Sequence, residues 1–396
     1  MNTRRLLEGP TKDVAGDALM WLTNFSLRCP ACGWKSAPEL QFRCPRCATA
    51  LETDMVLDHA APRQDAQPEA AFADYLPLGR LGVASGTSVR TPCRRADRLG
   101  ERIGLVDLWV KDETVQPTGS TKDRLAAVVV SVFRQFGVTE FVASSTGNTA
   151  LALARAVSLD GSMRTHFFCP RATPVAAAIA EWPGHVLHLV DGSYADAIRA
   201  AGRYAEESGL VLDAGFFNWA RREGLKVAYL EAFVEMPREP DVVIQAISSG
   251  MGMMAARRAA ADLQASGHML RMPRLVMVQQ ATCAPMVDGW RRGATELGDD
   301  DVITEPEGLA TAILLGDARA SYPYIRDIAE STGGDIVSVT QAELIAAREL
   351  LWETESIQAC YASCAAVAAA CNTVRFGVVS PTNTVLLHLT GKERAA

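Results

Sequence analysis

The 396-residue chain is 48% apolar, long enough for one large or two moderate domains with filled cores and a small extra module. Its 39 basic and 46 acidic residues leave a net charge of -7, which argues against a protein that binds nucleic acid or a membrane surface as a whole. Met1 to Asp13 carries Arg4, Arg5, Glu8, Lys12 and Asp13 without an apolar run of signal-peptide length, and no later run reaches membrane-spanning length, so the expected location is the cytoplasm.

Cys29, Cys32, Cys44 and Cys47 form two Cys-x-x-Cys units, eleven residues apart. Two tight turns each bring a pair of thiolates together, and tetrahedral zinc takes four. A redox dithiol is the alternative for one such unit, but two units without a surrounding βαβ pattern favour metal. The expected role is a structural staple for a fragment too small to hold a core, with one zinc per chain, remote from the chemistry and independent of it. Arg28, Lys35, Arg43 and Arg46 against Glu39 leave a nucleic-acid contact as the minor reading. The other six cysteines, Cys93, Cys169, Cys283, Cys360, Cys364 and Cys371, sit in apolar segments and read as buried thiols of a reducing compartment.

Asp58 to Glu69 is rich in Ala, Pro and Gln and reads as a linker, with the catalytic body beginning after it. The stretch Leu78 to Arg95 then brings Gly79, Gly82, Gly86, Thr91 and Pro92. From Leu105 onward short β-rich runs alternate with helical ones. Strands are expected at Leu108 to Lys111, Phe141 to Ala143, His166 to Cys169, Val186 to Val190, Val211 to Asp213, Val242 to Ile247, Leu275 to Gln279 and Val385 to Leu389. Helix-period segments fall at Thr149 to Leu159, Tyr194 to Glu207, Leu225 to Val234 and Met253 to Ala265. This alternation calls for parallel sheets covered by helices on both faces, with ligands at the carboxyl ends of the strands.

Lys122 stands where a strand has ended at Val110-Lys111-Asp112-Glu113, a turn runs through Pro117-Thr118-Gly119-Ser120-Thr121, and an apolar helix begins. A lysine at the positive end of a helix dipole and partly desolvated loses affinity for its proton, which suits Schiff-base chemistry. A solvated lysine in a first helical turn is the bland alternative.

Three further loops lead from strands into helices. Ser144-Ser145-Thr146-Gly147-Asn148-Thr149 offers hydroxyls, a glycine and free helix amides suited to a carboxylate, or else an ordinary N-cap. Ser248-Ser249-Gly250-Met251-Gly252-Met253 suits a phosphate dianion, although a lone Gly-x-Gly is common in such turns. Asn218-Trp219-Ala220-Arg221-Arg222-Glu223-Gly224-Leu225-Lys226 carries adjacent arginines, which by charge counting alone read as a solvated face. His166, His185, His188 and His388 lie in strand-like runs and read as satisfied core or surface imidazoles.

Pro117-Thr118-Gly119-Ser120-Thr121-Lys122-Asp123-Arg124, with the preceding Lys111-Asp112-Glu113, resembles the cofactor-lysine motif of the threonine synthase group of pyridoxal-phosphate (PLP) enzymes of fold type II. Thr91-Pro92 resembles the group's threonine-proline-leucine step with Cys93 for leucine, and Trp219 replaces a proline in the group's arginine segment. Glu307 to Ile313, Glu353 to Ile357, Ala362 to Ala365 and Thr390-Gly391-Lys392 are similar to further group segments, so the likeness spans most of residues 90 to 392.

The resemblance implies an α/β fold: two doubly wound parallel-sheet domains with the PLP site between them, plus an N-terminal zinc ribbon. The expected boundaries are 1–57 for the ribbon, 58–75 for the linker, 76–140 with 235–396 for the large domain, and 141–234 for the small one. It implies that Lys122 holds PLP and moves substrate protons. Asn148 would bond the cofactor's phenolic oxygen, Ser248, Ser249, Gly250, Met251 and Gly252 its phosphate, and Thr390 would face its pyridine nitrogen. Ser145, Thr146 and Thr149 would hold the substrate carboxylate, while Asn218 and Arg221 would hold the leaving phosphate. A homodimer acting on a small phosphorylated amino acid is implied. The reading ranked first is threonine-synthase chemistry, O-phosphohomoserine and water giving threonine and phosphate. The alternative, supported by Gln245-Ala246 and Ser249-Gly250-x-Gly252, is a cysteate synthase-like or diaminopropionate-type β-replacement on O-phosphoserine. A catalytically silent PLP-fold binding protein is the reading from another class.

Overall fold

The computed structural model describes residues 24–64, 67–78, 83–84, 86–171, 173–375 and 377–393. Met1 to Asp13, read above for a leader, lies outside them, as do Gly79 and Gly82. In chain order the strands are β1 (Phe25–Arg28), β2 (Lys35–Ser36), β3 (Glu52–Met55), β4 (Cys93–Arg95), β5 (Asp107–Asp112), β6 (Glu140–Ser144) and β7 (Arg164–Pro170). They continue with β8 (His185–Val190), β9 (Val211–Leu212), β10 (Val242–Ala246), β11 (Arg274–Gln280), β12 (Asp335–Val339) and β13 (Thr384–Leu389).

These strands build a small antiparallel sheet, β2-β1-β3, a six-stranded sheet, β12-β11-β10-β13-β5-β4, and a four-stranded sheet, β8-β7-β6-β9. The four-stranded sheet is parallel throughout, and in the six-stranded one only the edge strand β4 runs antiparallel. Along β10 and β13 neighbouring residues alternate between two cores: Val243 and Leu386 on one side, Val242, Ile244, Val385 and Leu387 on the other. Side chains of a strand point alternately to opposite faces, so both faces of this sheet are covered. This is the α/β architecture of fold type II, with parallel sheets and helices on both faces.

All the expected strands form within two residues of the ends read from the sequence. Strands β4 and β12 and the helices Tyr322–Thr332, Gln341–Glu355 and Tyr361–Arg375 were not anticipated. The helix expected from Leu225 starts at Trp219, because the Asn218 side chain accepts from Ala220 N (2.9 Å) and caps it.

The stretch expected to be a linker packs instead. Ala60, Glu69, Phe72 and Tyr75 are buried, and Tyr75 Oη donates to Ala60 O at 3.1 Å. Its aromatic residues supply the burial that composition alone concealed. The β1 to β3 sheet likewise shares one continuous core with the body, in which Phe25 and Leu27 join Phe133, Trp219 and Tyr322.

Candidate active site

Parallel strands β5, β13 and β10 are neighbours, so the segments leaving their carboxyl ends meet at one edge of the large sheet. Lys122 begins the helix Lys122–Gln135 at this edge. Thr121 N donates to Thr390 O (2.9 Å) and Lys392 N to Gly119 O (2.9 Å), which ties the lysine turn to the end of β13. Asp123 accepts from Thr118 N (2.7 Å) and Oγ1 (2.9 Å) and locks the turn from the other side. Burial, and next the positive charge of Arg221, lowers the Lys122 pKa from 10.5 to about 8.

Beneath the lysine lies a buried ion cluster that explains the Lys111-Asp112-Glu113 pattern. Arg124 donates from Nε to Glu113 (2.7 Å) and from Nη2 to Glu231 (2.6 Å), while Lys111 Nζ bonds Glu231 (2.5 Å) and Thr91 O (2.8 Å). All four charged side chains are sealed from solvent, and two positive charges match two negative ones. The Arg124 guanidinium holds the Glu113 carboxyl down at about 2 against the opposing cost of burial.

The helix Trp219–Glu235 crosses the lysine helix at Gly224, where a Cβ would lie 2.7 Å from Leu125 Cα and overlap Arg124 O. Only glycine allows this approach, which brings Arg221 to Lys122. Arg221 is nearly buried and is held by Asp213, whose two oxygens lie 2.9 and 3.1 Å from Nε and also take a bond from Nη2. The same carboxylate accepts from Asn218 Nδ2 at 2.8 Å. Asp213 was missed in the sequence, where it read only as the end of a strand. It engages one edge of the guanidinium and leaves the Nη1 edge for another anion.

The loop after β10 leads into the helix Met251–Ala265 through Gly250, which has φ +82° and no room for a Cβ against Ile325. Gln245, flagged as a motif residue, lies directly under Gly252, where a Cβ would collide with its carboxamide. Tyr229 Oη donates to the same side chain. Ser248 and Ser249 are partly buried, and their hydroxyls have no protein partner among the described residues.

After β6, Asn148 opens the helix Asn148–Asp160, and the Asn148, Thr146 and Thr149 side chains likewise make no bond to the described protein. Ser145 Oγ accepts from Gly147 N (3.3 Å). At the end of β13, Thr390 Oγ1 lies 3.4 Å from Ser363 Oγ, and Ser363 also donates to Gly391 O (2.7 Å). The Cys360 sulfur lies 3.5 Å from Ser363 Oγ. Cys360 is therefore part of this neighbourhood, and with Cys93 and Cys371 it is only partly buried, unlike Cys169, Cys283 and Cys364.

His388 corrects the reading of the histidines. It is buried against Tyr229 (ring centroids 4.8 Å), and neither ring nitrogen has a hydrogen-bond partner among the described residues, so desolvation lowers its pKa to about 3. His166 instead pairs with His188 (3.1 Å) and Glu140 (3.2 Å).

The residues present fit PLP. A glycine cradle at a helix N-terminus with two free serines suits a phosphate, the unpartnered Thr121 hydroxyl and Asn148 carboxamide await polar partners, and Lys122 has the lowered pKa an amine nucleophile needs. A family model described as "Pyridoxal-phosphate dependent enzyme" matches residues 85–391. The chain belongs to this family of PLP-dependent enzymes.

Among its relatives, the cysteate synthase of Methanosarcina mazei is 28% identical over 93% of this chain and 91% of that protein. The cysteate synthase of Methanothrix thermoacetophila is 30% identical (89% and 90% covered), and the threonine synthase of Methanosarcina acetivorans 27% (93% and 91%). The fold matches maize serine racemase with a TM-score of 0.65 at 20% identity, covering 79% of this chain and 94% of that one. It also matches threonine deaminase isoform 2 of Solanum lycopersicum with a TM-score of 0.66 at 15% identity, covering 86% and 95%. This PLP-dependent lyase is thus of the cysteate and threonine synthase type, and cysteate synthase is the leading name among the relatives. That likeness favours the alternative reading over the threonine-synthase chemistry ranked first.

The four cysteines converge in the module that packs on the first turns of the Trp219–Glu235 helix. Their sulfurs all lie within 4.8 Å of one another, with Cys29 and Cys47 at 3.4 Å and Cys32 and Cys44 at 3.5 Å. Tetrahedral zinc with bonds of about 2.3 Å places its sulfurs about 3.8 Å apart, so the four can hold a metal ion. No helix among the described residues is long and apolar enough to cross a membrane.

Proposed function

We propose that this enzyme catalyses a β-replacement on O-phosphoserine, with sulfite as the entering nucleophile. The observation that carries this reading is the likeness to cysteate synthases along nearly the whole of both chains. In this reading Lys122, Asn148, Ser248 to Gly252 and Thr390 hold PLP, which when bound supplies an electron sink for the bond broken at the substrate's Cα. Lys122 takes the Cα proton and later returns it, a task matched by a pKa of about 8. Ser145, Thr146 and Thr149 hold the substrate carboxylate. Asn218 and the free edge of Arg221 bind the phosphate as its bond to Cβ breaks, and a C–S bond to sulfite replaces that C–O bond. Thr390 offers a neutral hydroxyl rather than a carboxylate, which suits elimination and replacement better than transamination.

The metal held by the four cysteines is read as a structural zinc. The assignment of 76–140 with 235–396 to a large domain and 141–234 to a small one, and a homodimeric assembly, belong to the same reading. Phosphate release from O-phosphoserine and O-phosphohomoserine, measured side by side with and without sulfite, tests it. Release from phosphoserine that yields a sulfonated product is expected. Preference for phosphohomoserine would restore the threonine-synthase reading, for which the Methanosarcina acetivorans relative speaks. Bound PLP with no turnover of either substrate would instead point to a silent binding protein.

A further inference from the structure

The four-cysteine module grips the segment that carries Arg221. Trp219, in the position where the related motif has proline, is 1% exposed and packs on Phe25 (5.5 Å between centroids) and Phe42 (6.4 Å), while its Nε1 donates to Gln41 O at 3.1 Å. Arg222 donates to Leu51 O, and Thr53 Oγ1 donates to Glu223 at 2.7 Å. The turn before the helix is held as well, with the Arg43 guanidinium 3.3 Å from the centre of the Phe217 ring. Residues 219, 222 and 223 share one face of the helix, and at about 100° per residue Arg221 lies on the opposite face. The module therefore presses the helix against the lysine helix at Gly224 and fixes the direction in which Arg221 and Asn218 point.

We propose that the metal-loaded module is a clamp that sets the anion-binding turn, so that losing the metal weakens the hold on a phosphate group while the lysine-bound cofactor stays in place. The proposal rests on Arg221 as the phosphate ligand in the reading above. Among the described residues the module's sheet has strands of only four, two and four residues, too small to stay ordered without its metal. Freed strands would release Trp219, Arg222 and Glu223 together. The cofactor side is anchored elsewhere, by the bonds between the lysine turn and β13 and by the ion cluster beneath. Trp219 and Arg222 are thus positioning residues for Arg221.

The test starts from PLP-loaded enzyme stripped with a chelator, with metal content followed by elemental analysis and cofactor by its visible band. Binding of inorganic phosphate, read from the perturbation of that band, should weaken about tenfold and KM for phosphoserine rise in step, while kcat changes little. Readdition of zinc should restore both. Thr53→Val and Arg43→Gln keep all four cysteines and should retain both the metal and the PLP band yet weaken phosphate in the same direction, which tests the clamp without removing the metal. Unchanged phosphate affinity in the stripped enzyme and in both variants overturns the clamp, as does loss of the PLP band along with the metal. If Arg221→Gln leaves phosphate binding intact, the assignment of Arg221 falls and the clamp with it. If Arg221→Gln weakens phosphate but metal loss does not, only the clamp falls.

Discussion

Asp213 holds Arg221 by one edge of its guanidinium, with both carboxylate oxygens within 3.1 Å of Nε, and it holds Asn218 with the same group. One carboxylate thereby aims both residues assigned to the substrate phosphate. Asp213→Ala leaves a buried arginine unpaired, at a cost of about 3 kcal/mol in stability. It should also raise KM for phosphoserine more than it lowers kcat. Denaturant unfolding alongside steady-state kinetics checks both, and an unchanged KM would show that Arg221 does not need this partner to bind.

The ion cluster beneath Lys122 is the second target. Glu231 accepts from both Arg124 and Lys111 with no exposure, so Glu231→Gln leaves an uncompensated buried positive charge. The expected loss is about 3–5 kcal/mol, with weakened PLP retention because Arg124 lies two residues past the lysine. Urea midpoints and the visible band after dialysis measure the two effects.

At Gly224 the added Cβ of an alanine meets backbone atoms of Arg124 and Leu125, which cannot rotate away. Gly224→Ala must spread the two helices, costing about 1–3 kcal/mol. It should depress activity by moving Arg221 from Lys122. A variant as stable and active as the parent would show that the crossing is looser than described.

The lysine gives a pH signature. Only the neutral amine attacks the cofactor aldehyde, and its pKa in the cofactor-free protein is lowered to about 8. The rate of PLP loading should therefore rise with pH and level off above 8, falling about tenfold per unit below it. Stopped-flow loading of apoenzyme between pH 6 and 10 reads the midpoint, and a midpoint near 10.5 would mean an ordinary solvated lysine.

His388 gives a second one, in stability. Its folded pKa of about 3 lies below the unfolded 6.5, so between these values the unfolded chain binds the proton and the folded one does not. Stability from this residue is intact above pH 6.5 and is lost as pH falls toward 3, at no more than about 1.4 kcal/mol per unit. His388→Phe keeps the ring stacked on Tyr229 and should flatten the acid limb of the stability profile. Parallel acid limbs for parent and variant would contradict the buried neutral imidazole.

The local parts of this protein were legible in its sequence. The alternation of β-rich and helical runs reports burial on both faces of a parallel sheet, and the lysine, asparagine and glycine loops are short contiguous segments whose chemistry resides in their own residues and backbone. Four cysteines at fixed spacing, whose sulfurs converge so that they could hold a metal ion, were legible for the same reason. What the tertiary structure decided are contacts between residues far apart in the chain. Glu231 reaches Arg124 across 107 positions, and Trp219 reaches Gln41 across 178. No periodicity or motif encodes such pairs, because they depend on how the helices cross and which faces meet. The apparent linker became core, and the module expected to stand apart packs against the helix that carries Arg221. In both cases apolar side chains that read as unremarkable in sequence, Phe72 and Tyr75 in one and Phe25, Phe42 and Trp219 in the other, found a common surface to bury.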